Sequence, residues 1–296
     1  MPTTSVLRSA HSQIVNSGRT VFVSTTLTQL SHLSLLELQG PEARKFLQGQ
    51  ATCNVELVSE TLTTPGGLCN PQGRLYGSFL LGCGESDQLL LRMREDITAS
   101  TASTLGKYIV FSKAGLKHSV RYRVAGLSGF GSRELLASVC RAPPASRYAS
   151  ARIDSDTVVQ LDEPGNRFEC WIDTENPGSR LADALEACPA GDLAAWIACD
   201  IADGEAQIQA ATQDIFIPQM LNFQATGHIS FTKGCYTGQE VVARMHYKGK
   251  TKRRAYAAYI TDTQKDEDLA GQLLYVDGNK QGIGTVVNSV QTADGN

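Results

Sequence analysis

The sequence lacks the cysteine spacing of a metal-binding protein. Eight cysteines occur among the 296 residues, but no two of them form a C-x-x-C pair. That spacing is typical of structural zinc sites and of many iron–sulfur ligand sets. We therefore expect no metal ligands in this chain, and we expect most of the cysteines to be reduced, small apolar side chains in the core.

Long apolar segments are also absent. No apolar run approaches the ~20 residues that a helix needs to cross a bilayer. The first ten residues contain no apolar stretch of the kind found in secretory signals. We expect a cytoplasmic protein that does not enter a membrane.

Charge is low overall but unevenly distributed. The net charge is −3, whereas residues 233–254 contain seven basic residues and one acid, Glu240, which gives this segment +6. Such a cluster favours an anionic ligand, either a nucleic acid or a small molecule with carboxylates. The positive charge is therefore a local feature.

Short strand-like and helix-like segments alternate along the chain, often with turn residues between consecutive strands. Apolar patterning predicts strands at residues 33–38, 75–81, 88–93, 120–125, 157–161 and 167–173. It predicts helices at residues 41–50, 95–108, 132–140, 181–188 and 193–199. This order favours an α+β fold in which helices cover antiparallel sheets, rather than a doubly wound parallel sheet.

Two further features concern chain organisation. The prolines and glycines of residues 64–67 and 70–73 predict turns, and residues 141–146 (RAPPAS) predict a linker or a long loop. After Arg254 helical patterning stops, and strands are predicted at 255–261, 272–276 and 283–290. We expect a main region at 1–250, with a possible break near 141–150, and a small β module at 251–296 that is short or incomplete.

Residues 233–244 (KGCYTGQEVVAR) form the most distinctive segment. Thr237 and Glu240 have the spacing of a capping box, which predicts that a helix starts at Thr237. Cys235 would then precede the positive end of a helix, close in sequence to Lys233, and the pKa of its thiol would be depressed. The alternative is that Cys235 is an ordinary packing residue, as lone cysteines more often are.

This segment resembles, essentially without gaps, the signature of the YgfZ family of folate-binding proteins. Residues 46–50, 107–112, 216–219 and 222–231 are also similar to that family, and the likeness extends over about residues 30–260. The resemblance implies the fold of the glycine-cleavage T-protein, with ferredoxin-like subdomains around a central tetrahydrofolate pocket and a small C-terminal β-barrel. It also implies support of iron–sulfur enzymes, including those that methylthiolate tRNA.

Site residues follow from the same resemblance. Cys235 is expected to be the working residue, with Lys233 raising its thiolate fraction or contacting the ligand. A pair of tryptophans flanks the family's folate site. Trp196 matches one of them, whereas Leu33 stands where the other is expected. The expected contacts of tetrahydrofolate or a derivative are Trp196, Leu33, Tyr236, Gln239 and Arg244.

One departure bears on catalysis. T-protein-like aminomethyltransferases have an Asp-Asp pair shortly after an Asn-x-x-Gly turn, and here the matching positions are Gly77 and Ser78. Classical glycine cleavage is therefore not expected, and whether the chain is an enzyme stays open. A folate-dependent aminomethyltransferase or demethylase is the second reading.

The basic residues between 248 and 254 support a third reading, a tRNA-binding module. Against it, the same charges suit a solvated loop or the glutamate tail of a folate. His246 is a candidate general base for Cys235, although surface exposure or packing is the more ordinary role. The expected partners are a folate and, transiently, iron–sulfur enzymes such as a tRNA methylthiotransferase, whereas direct tRNA binding is the less favoured alternative.

Overall fold

The structure, a computed structural model, describes residues 25–86, 88–249, 251–259, 268–276 and 280–291. Its strands are β1 (Thr26–Gln29), β2 (Leu33–Gln39), β3 (Thr64–Cys69), β4 (Leu75–Cys83), β5 (Leu89–Arg94), β6 (Gly115–His118), β7 (Tyr122–Ser128), β8 (Ser150–Ile153), β9 (Asp156–Gln160), β10 (Arg167–Asp173), β11 (Leu273–Leu274) and β12 (Gly284–Thr285). Its α-helices are α1 (Ala43–Gln48), α2 (Glu95–Ile109), α3 (Ser132–Val139), α4 (Arg180–Glu186), α5 (Leu193–Ala202) and α6 (Gln239–Tyr247).

Two five-stranded sheets form the body of the fold. The first has the strand order β3-β4-β5-β2-β6 and the second the order β1-β7-β10-β9-β8, with antiparallel pairing throughout. Helices α1 and α2 pack on the first sheet, where Leu47 and Leu105 are fully buried. Helices α3 and α4 pack on the second, where Leu136 and Leu181 are fully buried. This is the predicted α+β arrangement.

A third apolar cluster joins the two sheets. Leu33 and Leu35 of β2 belong to it, whereas Leu36 and Leu38 of the same strand face the core under α1 and α2. This division follows the two-residue period of a strand, which sends successive side chains to opposite faces. Both faces of β2 are therefore buried, which explains why its leucines do not keep to one side of the strand.

The prediction of a turn at residues 64–67 is wrong, because these residues begin the buried strand β3. Gly66 and Gly67 serve close packing there: a Cβ on Gly66 would lie 2.6 Å from Cys53 Sγ, and one on Gly67 would lie 2.6 Å from Leu75 Cδ2. Pro65 is tolerated because β3 lies at the edge of its sheet, next to β4. Tertiary packing thus outweighs the local turn propensity.

The C-terminal part contributes one short pairing, in which β11 and β12 run antiparallel. These two strands fall inside the predicted segments 272–276 and 283–290. Of the predicted strand 255–261, residues 255–259 have no strand conformation and the remainder lies outside the described residues. The β-barrel module and the domain bounds at 141–150 and 250 stay predictions.

The described residues include no helix long and apolar enough to cross a membrane. In the same part of the chain, no group of three or more His, Cys, Asp or Glu side chains is arranged to hold a metal ion. Five of the eight cysteines are buried, Cys188 and Cys199 are half-buried, and Cys235 is exposed.

Candidate functional site

The signature segment is attached to the end of helix α1. The Lys233 ammonium donates to three backbone carbonyl oxygens, at 2.6 Å to Gln48, 2.7 Å to Ala51 and 2.9 Å to Cys53. The amide of Thr237 donates to the carbonyl of Gly49 at 3.1 Å. The residues on both sides of Cys235 are therefore bonded to the same stretch of chain.

Gly238 brings this segment against the turn that precedes β4. Its φ is +83°, and a Cβ at this position would lie 2.6 Å from the carbonyl oxygen of Asn70 and 2.8 Å from Cys69 Cβ. On the other side of the contact, Gly73 has φ +72°, and its Cβ would lie 2.7 Å from Val241. The predicted turn at 70–73 is confirmed by the bond from the Gly73 amide to the Asn70 carbonyl, at 2.8 Å.

Helix α6 begins at Gln239, two residues later than the predicted start. Its N-cap is Gly238, and no side chain caps it. The capping-box prediction is wrong because the Thr237 hydroxyl lies 3.1 Å from Gln50 Oε1 instead of bonding to the helix. Gln219 fixes the helix from the inside by donating to the Val242 carbonyl at 2.7 Å. The family-like segments 46–50, 216–219 and 233–244 thus meet in one place.

Within this segment Cys235 is presented to solvent. Gly234 and Cys235 are exposed, whereas the next residue, Tyr236, is buried with 7% of its surface accessible. The Tyr236 ring lies 5.2 Å from the Lys233 ammonium, and burial raises the pKa of the Tyr236 hydroxyl. The backbone on both sides of Cys235 is therefore anchored by hydrogen bonds, whereas the Cys235 side chain is accessible to solvent.

The predicted contacts farther along the segment lie on α6. Gln239 is half-buried in the first turn, and Arg244 is exposed in the last turn. His246 stacks on Phe231 with a centroid distance of 3.7 Å, which is the packing role expected for it. The basic residues Lys248 and Arg254 are exposed, whereas Lys250 lies outside the described residues.

A polar cavity of about 300 Å³ lies elsewhere, beside helix α5. Its lining consists of His32, Arg94, Ile197, Asp200, Ile201, Glu205, Gln207, Gln209, Asp268, Asn288, Ser289, Val290 and Gln291. A second, much smaller cavity shares Arg94, Asp200, Glu205 and Gln207 and adds Ser78, Tyr148 and His228. Cys235 is not among the residues that line either space.

Trp196 and Leu33 lie together behind the cavity wall, in the cluster that joins the sheets. The Trp196 ring is 1% exposed, and a Cβ on Gly126 would lie 2.4 Å from it. The Arg167 guanidinium lies 4.5 Å from the ring centroid. The cavity is lined instead by their neighbours in sequence: Ile197 follows Trp196 on α5, and His32 precedes Leu33. The predicted site residues therefore fall into two groups, one at this cavity and one around Cys235.

Two carboxylates of the cavity are held by arginines. Asp200 accepts from Arg167 at 2.5 Å, and its burial raises the pKa of its carboxyl group to about 6. Glu205 accepts from Arg147 and from the Tyr148 hydroxyl. Despite burial, which acts in the other direction, the neighbouring positive charges and these bonds lower the pKa of Glu205. An ionised carboxylate therefore faces the cavity.

Sequence reasoning missed most of this lining. His32, Arg94 and Glu205 come from separate parts of the chain, and no spacing in the sequence links them. Asp200 binds Arg167, which is 33 residues away in the sequence. Only the resemblance pointed to this region, through Trp196 and Leu33.

The cavity wall carries both hydrogen-bond donors and hydrogen-bond acceptors. His32 Nδ1 and Arg94 Nε are buried at this wall and have no hydrogen-bond partner among the described residues, although Arg94 Nε lies 3.6 Å from Asp96 Oδ1. Burial beside Arg94 and Arg92 lowers the pKa of His32 to about 4, so this ring is neutral at physiological pH. Together with Asp200 and Glu205, these groups fit the amide-like edges of a pterin.

A comparison with protein-family models finds no match. The tRNA-modifying protein YgfZ of Serratia proteamaculans (strain 568) is 32% identical over 277 residues, covering 91% of this chain and 82% of that protein. That of Yersinia pestis (strain Pestoides F) is 31% identical over 272 residues, with the same coverage.

This chain belongs to the YgfZ family.

The fold of this YgfZ family member is similar to that of a solved structure. Glycine cleavage system aminomethyltransferase T from Bartonella henselae aligns with a TM-score of 0.59 and 14% identity, covering 77% of this chain and 65% of that one. The predicted T-protein-like fold is therefore confirmed.

The two positions at which this YgfZ family member departs from the Asp-Asp pair of the aminomethyltransferases lie in β4. Ser78, at a position expected for the Asp-Asp pair of those enzymes, lines the smaller cavity, and its hydroxyl accepts from the Ile208 amide at 2.8 Å. Gly77 is beside it in β4. No carboxylate comes from this strand position, whereas Asp200 and Glu205 supply two from outside β4.

Proposed function

We propose that this chain binds tetrahydrofolate or a derivative in the cavity beside α5 and supports iron–sulfur enzymes that act in tRNA modification. The relatives described above are named tRNA-modifying proteins, and the T-protein-like fold supports a folate as the ligand. When bound, tetrahydrofolate supplies a carrier for one-carbon units. His32, Arg94, Asp200 and Glu205 would hold its ring.

The observation that carries the proposal is the presentation of Cys235. The family segments converge to fix the backbone on both sides of this residue, yet they leave its thiol exposed. A single cysteine cannot hold an iron–sulfur cluster alone, so Cys235 acts in contact with a partner such as a tRNA methylthiotransferase. An exposed thiol outside the cavity suits a group delivered by another protein.

The test compares wild type with Cys235→Ser in two measurements. Calorimetric titration with tetrahydrofolate should give the same affinity for both proteins, since Cys235 does not line the cavity. In cells that lack the endogenous protein, wild type should restore tRNA methylthiolation and Cys235→Ser should not. Cys188→Ser, which alters a half-buried cysteine in another part of the fold, is the matched control and should restore it. Full rescue by Cys235→Ser would refute the role of the thiol.

A second candidate function, a folate-dependent transferase or demethylase, is favoured by the carboxylates of the cavity. This reading needs a proton-accepting group, and Glu205 and Asp200 meet that need despite Gly77 and Ser78. Its test is conversion of tetrahydrofolate to the 5,10-methylene form with an aminomethyl thioether as the donor. The transfer releases ammonia and the free thiol and needs no oxidant, because the aminomethyl carbon is already at the oxidation level of the product. Turnover that Glu205→Gln abolishes would support it, and absence of turnover at saturating folate would count against it.

A further inference from the structure

Lys233 is placed to bind the end of helix α1. Gln48 is the last residue of α1, so its carbonyl has no partner within the helix, and the carbonyls of Ala51 and Cys53 follow in the turn after it. The Lys233 ammonium lies within 2.9 Å of all three oxygens. A cation at the C-terminal end of a helix is also favoured by the helix dipole.

All three N–H donors of the ammonium are used by these carbonyls. An ammonium group has three protons and no acceptor, and here each proton has a backbone oxygen. No donor remains for the thiolate of Cys235, whose side chain is exposed. The geometry therefore does not favour the role expected from sequence, in which Lys233 activates the thiol.

We propose that Lys233 is a positioning residue, a charged clamp that holds the Cys235 loop on the end of α1. The loop is residues 233–237, and its second anchor is Thr237, through its amide to Gly49 and its hydroxyl to Gln50. Three residues separate the anchors, and one of them, Tyr236, is buried. Cys235 thus has a fixed direction toward solvent. This inference rests on the proposed function of Cys235 and explains how the thiol is presented to a partner.

The clamp depends on the charge of Lys233. Burial lowers the pKa of Lys233 to about 8, and the groups that face it are the Cys53 thiol, the Glu56 carboxylate and the Tyr236 ring. Below that pH the ammonium serves three carbonyls. As the pH rises through 8 it loses one proton, and one carbonyl loses its donor. The loop is therefore held more loosely in mildly alkaline solution.

The first test compares Lys233→Met with wild type and with Lys248→Met, which removes an exposed cation at the C-terminal end of α6. Amide hydrogen exchange should become about tenfold faster or more at residues 48–53 and 233–238 in Lys233→Met, because hydrogen bonds to charged groups are among the stronger ones. Lys248→Met should exchange like wild type. Iodoacetamide alkylation of Cys235, followed by mass spectrometry across pH, should keep its pH midpoint in both variants.

The clamp would be refuted if Lys233→Met left exchange unchanged but moved the alkylation profile to higher pH, because the ammonium would then act on the thiol. If Lys233→Met does not fold, wild type alone decides: exchange at residues 48–53, corrected for its intrinsic pH dependence, should rise between pH 7 and 9, while that of β10 should not. A flat corrected profile would also refute the clamp. These readouts use neither folate nor tRNA, so failure of the proposed function would leave them standing.

Discussion

Replacing Gly238 by alanine tests whether the contact between the signature segment and the turn at 70–73 is as tight as the structure has it. Gly238 has φ +83°, which costs a residue with a Cβ about 1–2 kcal/mol. The new methyl group would also lie 2.6 Å from a backbone oxygen and 2.8 Å from Cys69 Cβ, and such overpacking typically costs about 1–3 kcal/mol. We expect Gly238→Ala to lower the free energy of unfolding by about 3 kcal/mol.

The matched control is Gly227→Ala. Gly227 has φ +80°, but nothing lies within 4 Å of a Cβ built on it. It therefore has the same backbone cost, about 1–2 kcal/mol, without the clash. Replacing glycine by alanine also lowers the conformational entropy of the unfolded chain, which stabilises the folded state. This contribution is common to both variants and cancels in their difference. The difference, about 2 kcal/mol, isolates the steric contact.

Urea unfolding followed by circular dichroism measures both variants, and their m-values should match so that the midpoints can be compared. Hydrogen exchange should quicken at residues 69–73 and 234–239 in Gly238→Ala only. Equal destabilisation by the two substitutions would refute the reasoning, since the signature segment would then not press against the turn. Destabilisation with unchanged exchange at 69–73 would also refute it.

Three further expectations concern the cavity and the basic surface. Arg167→Leu should cost about 3 kcal/mol or more in urea unfolding, because it leaves the buried carboxylate of Asp200 without its partner; a neutral result would contradict the ion pair. Folding lowers the pKa of His32 from 6.5 to about 4, so unfolding takes up a proton between pH 4 and 6.5. The stability that neutral His32 contributes above pH 6.5 is therefore lost as the pH falls to 4. His32→Gln should therefore lose about 2–3 kcal/mol less than wild type between pH 7 and 4, measured by urea titrations at each pH. Lys252 and Arg253 are exposed, and replacing both by glutamine should leave tRNA binding negligible, as in wild type, and tetrahydrofolate affinity unchanged or lower. If wild type instead bound tRNA strongly and in a salt-sensitive way, and the variant lost this binding, the tRNA-binding reading would be favoured.

The fold could be anticipated where local pattern and tertiary environment agree. β10 falls at the predicted residues, and β2 and α2 extend only one residue beyond the predicted ends. The apolar residues of β10 and α2 recur with the period of the element they form, whereas β2 is recognisable as a short leucine-rich segment. Residues 64–67 misled the prediction because a Pro-Gly-Gly sequence is typical of turns. In this fold the two glycines make room for Cys53 and Leu75, which no local window contains.

The site could be anticipated only in part, for a related reason. The importance of residues 233–244 was readable from their resemblance, and the exposure of Cys235 agrees with a working thiol. The partners of Lys233 were not readable, because the carbonyls it binds lie about 180 residues earlier in the chain. Cavity residues such as Glu205 and His32 are likewise brought together only by the packing of the two sheets. The roles of Trp196, Leu33, Tyr236, Gln239 and Arg244 toward a folate stay predictions.

The cluster that joins the two sheets also gives the molecule a built-in optical reporter. The chain has two tryptophans, Trp171 and Trp196, and both lie in this cluster with no more than 1% of their surface exposed. Their emission should therefore be that of indoles shielded from water, and a red shift should accompany separation of the sheets. Chemistry confined to the Cys235 loop should leave the spectrum unchanged, so fluorescence can separate events at the sheet junction from events at the thiol.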